Sequence, residues 1–161
     1  MKKLLLIRHA KATHETGYAD FERPLKQSGL QDAADMASRL VAQSIIPQLV
    51  ISSPALRTLT TANIFAEHLS LQQPHTDKKI YEADQGTLIT VVNELPDDYD
   101  FIALVGHNPG ISELFYYLTG QMKDMETCAL ALIEFAMAEW DDINNYSGKL
   151  IYYDSPGEKS L

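Results

Sequence analysis

Leu4-Leu5-Leu6-Ile7-Arg8-His9-Ala10-Lys11-Ala12 decides how the rest of the chain is read, because an unbroken apolar run leads straight into an arginine and a histidine. Four consecutive apolar residues make a short strand buried on both faces, as in parallel sheets covered by helices. Arg8 and His9 then stand at the carboxyl end of that strand, where ligands bind in open α/β sheets. An arginine offers a fixed cationic fork to phosphate or carboxylate. An adjacent imidazole can serve as nucleophile, base or metal ligand. The pair points to chemistry on an anion, although alone it also reads as the polar start of a loop.

The chain around it has 161 residues, enough to bury an ordinary core without disulfides or metal. One domain over 1–154 is expected, with a frayed tail over 155–161. The lone cysteine, Cys128, permits no internal disulfide and has no metal-ligand spacing. It reads as a small core hydrophobe in a protein of the reducing cytoplasm. The apolar run of the first strand stops at Arg8, well short of a signal peptide, and no other stretch approaches membrane-spanning length. A net charge of −9 argues against nucleic acids or anionic membranes as partners. Any phosphate site must therefore be assembled locally from clustered cations.

Going outward, Lys11 to Pro24 has no clean period and reads as a loop near the site. Gln27 to Gln43 carries Leu30, Ala33, Ala34, Ala37, Leu40 and Val41 at helical spacing, with Ser28 as the expected cap. Leu49-Val50-Ile51-Ser52 reads as a second buried strand. Ser53-Pro54 is a helix-start signal, placing Leu56, Leu59, Phe65 and their helical neighbours inward to Leu69 and Arg57 in the first turn. Lys79-Ile80-Tyr81-Glu82 reads as a short strand after a polar link over 72–77, and Gly86 to Leu95 as a modest helix. Phe101-Ile102-Ala103-Leu104-Val105 repeats the opening pattern, running into Gly106-His107-Asn108-Pro109-Gly110. Asn108-Pro109 opens a helix to about Thr119, whose free amides favour an anion. Thr127 to Met137 has helix-forming composition yet also fits a strand. Asn144 to Gly148 is a turn and Leu150 to Tyr153 a strand that pairs with what precedes it.

Arg8, His9, Arg57 and His107 thus converge at strand ends, an arrangement suited to a phosphoryl group. Arginines and helix amides neutralise its oxygens, and a neutral histidine can attack phosphorus. No H-x-H or H-E-x-x-H spacing supports a metallohydrolase, and the local arginines would repel a cation. No metal or cofactor is expected. His14, His68 and His75 share no spacing and read as solvated or locally hydrogen-bonded.

Four stretches resemble the histidine phosphatase superfamily: Leu6-Ile7-Arg8-His9-Ala10-Lys11, Arg23-Pro24-Leu25, Ser52-Ser53-Pro54-Ala55-Leu56-Arg57-Thr58 and Val105-Gly106-His107-Asn108-Pro109-Gly110. They occur in that family's order, and within it the chain is most similar to the short SixA-type phosphohistidine phosphatases. The resemblance implies an α/β fold, a phosphoglycerate-mutase-like three-layer sandwich with a mostly parallel central sheet flanked by helices. It also makes Cys128 to Met137 a strand. His9 becomes the transiently phosphorylated nucleophile, Arg8 and Arg57 the clamp on the phosphoryl oxygens, and His107 a donor to them. Arg23 matches a further phosphate-binding arginine, where the alternative is an ion pair with Asp20 or Glu22. Asn108 falls in the same phosphate-binding group.

Two departures stand out. Ala10 replaces a frequent glycine but keeps the position small. The general acid, usually a glutamate after the third strand, falls to Glu82, with Asp84 behind it. Imidazole leaves more readily than an alkoxide, so a phosphohistidine phosphatase tolerates a weak acid.

The implied activity is a metal-independent phosphatase, expected to be a monomer, acting on phosphohistidine in a partner protein such as a histidine phosphotransfer domain. A phosphomonoesterase on a small phosphorylated metabolite, or on phosphoserine or phosphothreonine in a protein, is the alternative. A non-catalytic phosphate-recognition module is the alternative of another class. Without long insertions the site should be shallow, which suits a protein surface and disfavours a mutase.

Overall fold

The computed structural model describes residues 1–158. Six strands form one sheet: β1 (Lys2–Arg8), β2 (Leu49–Ser52), β3 (His75–Thr76), β4 (Phe101–Gly106), β5 (Leu130–Phe135) and β6 (Gly148–Asp154). Their order across the sheet is β3-β2-β4-β1-β5-β6. The first four strands in that order run parallel, β5 runs antiparallel to β1, and β6 antiparallel to β5.

Helices α1 (Gln27–Ala42) and α2 (Leu56–His68) cover one face, and α3 (Gln85–Asn93) and α4 (Gly110–Thr119) the other. The two-residue alternation of β1 shows why its sequence had to be apolar throughout. Leu4 and Leu6 join the α3/α4 layer with Leu88, Val92, Ile111 and Phe115, whereas Leu5 and Ile7 join the α1/α2 layer with Met36, Leu40, Ala62 and Phe65. All four β1 residues are fully buried. Each contributes about 1.5–3 kcal/mol by leaving water. Among the described residues no helix is long and apolar enough to cross a membrane.

Several local expectations change. Helix α1 starts from Lys26 with no side-chain cap, and Ser28 lies inside its first turn. Ser53 Oγ accepts from the Ala55 N–H, so α2 begins only at Leu56, two residues beyond Pro54. Leu56 and Val41 face solvent, at the margins of their helices' apolar stripes. Residues 78–80 form a 3₁₀ turn, capped by Asp77 accepting from Lys79 N–H, and the edge strand is His75–Thr76 within the expected polar link. Pairing with β1 and β6 makes 130–135 a strand, as the family resemblance implied and composition alone did not decide. Residues 155–158 close with a turn whose Ser155 and Glu158 carbonyls accept from Arg39, whose Asp154 carboxylate is its ion-pair partner at 3.0 Å. The rest of the expected frayed tail, 159–161, lies outside the described residues.

Candidate active site

Sheet register assembles the site. Arg8 pairs with Gly106 across β1 and β4, and Ser52 with Val105 across β2 and β4. The next residues along the three strands, His9, His107 and Ser53, therefore leave the sheet side by side. His9 N–H donates to the Gly106 carbonyl and Ser53 N–H to the Val105 carbonyl, extending the ladder one step past the strands. The His9 and His107 rings meet edge to face with centroids 5.4 Å apart. The first turn of α2 brings in Arg57, and the loop after β1 brings in Arg23.

Two glycines permit the close packing around this edge. A Cβ on Gly29 of α1 would collide with the Lys11 carbonyl oxygen, and one on Gly110 of α4 with that of Ala83. Helix starts can thus sit directly against the loops that frame the pocket.

The pocket has a volume of about 240 Å³, and Arg8, His9, Arg23, Arg57 and His107 all line it, with Lys11 and Lys26 at the loop side. His9 is 8% exposed. Its Nδ1 lies 2.8 Å from the Ala10 carbonyl, which only accepts, so Nδ1 carries the proton and the Nε2 lone pair is free. Burial, reinforced by the charges of Arg57, Arg8 and Arg23, lowers its pKa to about 4, so the ring is neutral at pH 7.

His107 is arranged the other way round. Its Nε2 faces Ser53 Oγ at 2.8 Å and Thr58 Oγ1 at 3.1 Å. Ser53 Oγ already accepts from Ala55 N–H and has no other acceptor among the described residues, so it donates to the single lone pair of Nε2 and the proton of the neutral ring sits on Nδ1. That Nδ1 is buried and unpartnered. Burial and the neighbouring His9 and Arg57 lower this pKa to about 3.

Arg8 donates through Nη1 to the Met125 carbonyl, and Arg57 through both Nη atoms to Asp20. The Nε of each arginine is buried without a partner. Four buried side-chain atoms lack a partner among the described residues, and three of them, Arg8 Nε, Arg57 Nε and His107 Nδ1, belong to this pocket. Such orphaned donors are costly unless a ligand completes them. Chemically, such a lining suits an acceptor-only group with several oxygens. Burial lowers the Arg8 pKa, against the nearby charge of Asp124, yet leaves an arginine charged.

Other expected residues fall differently. Arg23 forms the ion pair with Asp20, at 3.2 Å, and also lines the pocket, donating to the Thr13 carbonyl at 2.9 Å. Asn108 lines the pocket, but its amide hydrogens go to Asp124 Oδ1 and the Met125 carbonyl while its oxygen accepts from Ser112 N–H and Oγ–H. It brackets the 124–125 loop to α4. Glu82 is exposed, in a left-handed conformation with φ 55°, and is absent from the pocket lining. Asp84 caps α3 by accepting from Thr87 N–H at 2.9 Å.

Sequence reasoning missed Asp20 as a site residue, together with Tyr81, Ser53, Thr58 and His14. Tyr81 donates to Asp20 at 2.6 Å and sets its ring 5.6 Å from that of His107. His14, read as solvated, lines the pocket 3.4 Å from Arg23 Nη1. Only the Asp20–Arg23 spacing offered a signal. A second concavity of about 1120 Å³ opens beside the pocket and shares Arg8 and Asn108 with it. Exposed Tyr116, Tyr146 and Met122 line it, with Asp84, Glu113 and Asp124 supplying negative charge.

This geometry agrees with what comparison finds. The model of the histidine phosphatase superfamily, branch 1, matches residues 4–101. The chain belongs to that superfamily and is a phosphatase of the hydrolase class. An uncharacterised chloroplastic protein of Arabidopsis thaliana is 28% identical over 91% of this chain and 72% of its own length. A structure assigned as the phosphohistidine phosphatase SixA of Agrobacterium tumefaciens superposes with a TM-score of 0.82 at 22% identity, covering 97% of this chain and 99% of that one. The protein histidine phosphatase SixA complexed with tungstate gives a TM-score of 0.82 at 23% identity, over 96% and 97%. The fold is SixA-like, with the expected three layers and mostly parallel sheet.

Proposed function

We propose that the chain is a metal-independent phosphatase that removes the phosphoryl group from phosphohistidine in a partner protein, by way of a phosphoryl group carried on His9. The observation that carries this reading is that Arg8, Arg57 and His107, each with one buried nitrogen left unpartnered, line one pocket together with His9, a neutral histidine whose Nε2 is free.

In the first step His9 Nε2 forms a bond to phosphorus as the bond from phosphorus to the substrate's imidazole nitrogen breaks. Arg8, Arg57 and His107 donate to the nonbridging oxygens as charge redistributes over them. Arg23 adds positive charge at the mouth. Protonated on its other nitrogen, the departing imidazole leaves neutral, so the exposed position of Glu82 is no obstacle. In the second step water attacks phosphorus, the bond to His9 breaks, phosphate leaves, and the lone pair returns to Nε2. No step uses a metal, in keeping with the cationic lining.

The groove of about 1120 Å³ supports a macromolecular substrate. A side chain inserted beside Arg8 would lay its own polypeptide across Tyr116, Tyr146 and Met122. The test is ³¹P NMR of a phosphohistidine-bearing histidine phosphotransfer domain, in chelator, with a phosphomonoester alongside. Release of phosphate from the phosphohistidine protein, lost in His9→Ala, is the expected result. Release from the ester alone would replace this reading with a phosphomonoesterase, and release from neither with a binding module.

A further inference from the structure

Asp20 places a carboxylate at the edge of a site made for an anion, where electrostatics alone would exclude it. Its Oδ2 accepts from Arg57 Nη2 at 3.1 Å and from the Tyr81 hydroxyl at 2.6 Å, and its Oδ1 from Arg23 Nε at 3.2 Å. Its backbone carbonyl accepts from Arg57 Nη1 at 2.6 Å. The Tyr81 hydrogen bond, with Arg57 and Arg23, holds its carboxyl down at about 2, so it is ionised throughout the neutral range. Tyr81 in turn is pushed up to about 12 by Asp20 and keeps its proton.

The consequence lies in which edge of Arg57 remains. Each Nη gives one N–H to Asp20, which fixes the plane of the guanidinium, and Nε is the one nitrogen of this side chain, itself part of the pocket lining, that is left buried with no partner among the described residues. A guanidinium is rigid and planar, so fixing two corners fixes the third. Asp20 also takes Nε of Arg23 while Thr13 holds Nη1. Three segments distant in sequence, the 3₁₀ turn at 20–22, the start of α2 and residue 81, are thus joined through one carboxylate.

We propose that Asp20, braced by Tyr81, is a positioning residue for the phosphate clamp: it turns the Nε edge of Arg57 toward the phosphoryl oxygens and fixes Arg23 at the mouth. This rests on the phosphate reading of the pocket. Two effects of Asp20 oppose one another, since its charge repels a phosphate dianion while its hydrogen bonds orient the donors. In a partly solvated site the charge effect is screened, whereas a misplacement of about 1 Å costs on the order of a hundredfold in rate. Positioning wins, so removing the carboxylate weakens the enzyme.

The test compares wild type, Asp20→Asn, Asp20→Glu and Tyr81→Phe. Inorganic phosphate is titrated while the side-chain Nε–H resonance of Arg57 is followed, and phosphohistidine turnover is measured in parallel. In wild type, phosphate shifts that resonance. In Asp20→Asn the shift is lost and kcat falls about tenfold to a hundredfold with a smaller change in KM. Asp20→Glu recovers part of the loss, and Tyr81→Phe loses less than Asp20→Asn. Equal or tighter phosphate binding in Asp20→Asn, with kcat intact, would overturn the positioning role while leaving the phosphate reading standing. Absence of any phosphate response in wild type would overturn both.

Discussion

The phosphate pocket and the groove beside it share Arg8 and Asn108 but are built by opposite rules. The pocket is small, with about 240 Å³ enclosed by cationic groups fixed at strand ends and at the first turn of α2. The groove is several times larger, about 1120 Å³, and sets Tyr116, Tyr117, Tyr146 and Met122 among polar and charged side chains of α4 and the 122–124 and 145–146 loops. Chemistry demands donors held to fractions of an ångström, which strand register and short helix starts supply. Recognition of a carrier demands area, and tyrosines and methionines on adaptable surfaces supply that. Under the proposed function the pocket would read the phosphoryl group and the groove what bears it.

Breaking the pocket should cost far more than breaking the groove. Arg57→Ala removes one of three converging donors and leaves Asp20 with Arg23 and Tyr81 alone. We expect kcat for phosphohistidine protein to fall about 10²–10³-fold, measured by phosphate release. A groove variant, Met122→Ser with Tyr146→Ala, should act differently. KM for the phosphoprotein should rise about threefold to tenfold, with turnover of free phosphohistidine unchanged. Equal losses on both substrates would erase the distinction between the two regions.

Acid should weaken the pocket selectively. The folded pKa values of His9 and His107, about 4 and about 3, lie below the ordinary histidine value. From about pH 6.5 downward the unfolded chain therefore binds protons that the native site excludes. Stability should be flat above that pH on account of these groups and fall through pH 6 to 4, read as a lower urea midpoint. Asp20, held at about 2, extends the same direction further into acid. His9→Ala should flatten the slope between pH 6.5 and 4.

The smallest effect is expected at Glu82. Its exposure and its absence from the pocket lining mean that Glu82→Gln should leave phosphohistidine turnover within about twofold, checked in the same assay.

The same division explains how much was legible in the sequence. Leu4 to Ile7 and Phe101 to Val105 can be satisfied only as strands buried on both faces, and parallel register then carries His9 and His107 to one edge. Arg57 follows because a helix start beside β2 must lie at that edge. Asp20, Tyr81 and His14 come from loops whose positions depend on tertiary contacts, and no period marks them. The helix-forming composition around 130–135 yielded to pairing with β1 and β6, which propensity does not see. Lys79 to Glu82 reads as a short strand, but Ile80 anchors a 3₁₀ turn into the core instead, with Tyr81 just beyond it. The groove left no signature at all, since its residues are scattered from Arg8 to Tyr146.

The central claim is that His9 carries the phosphoryl group, and rapid-quench mass spectrometry of wild type mixed with phosphohistidine protein tests it most directly. We expect a transient phosphoryl increment on the peptide containing His9, labile to acid and stable to base, that decays as phosphate appears and is missing in His9→Ala. Phosphate release by wild type at full rate with no labelled peptide at any quench time, or release undiminished in His9→Ala, would contradict it.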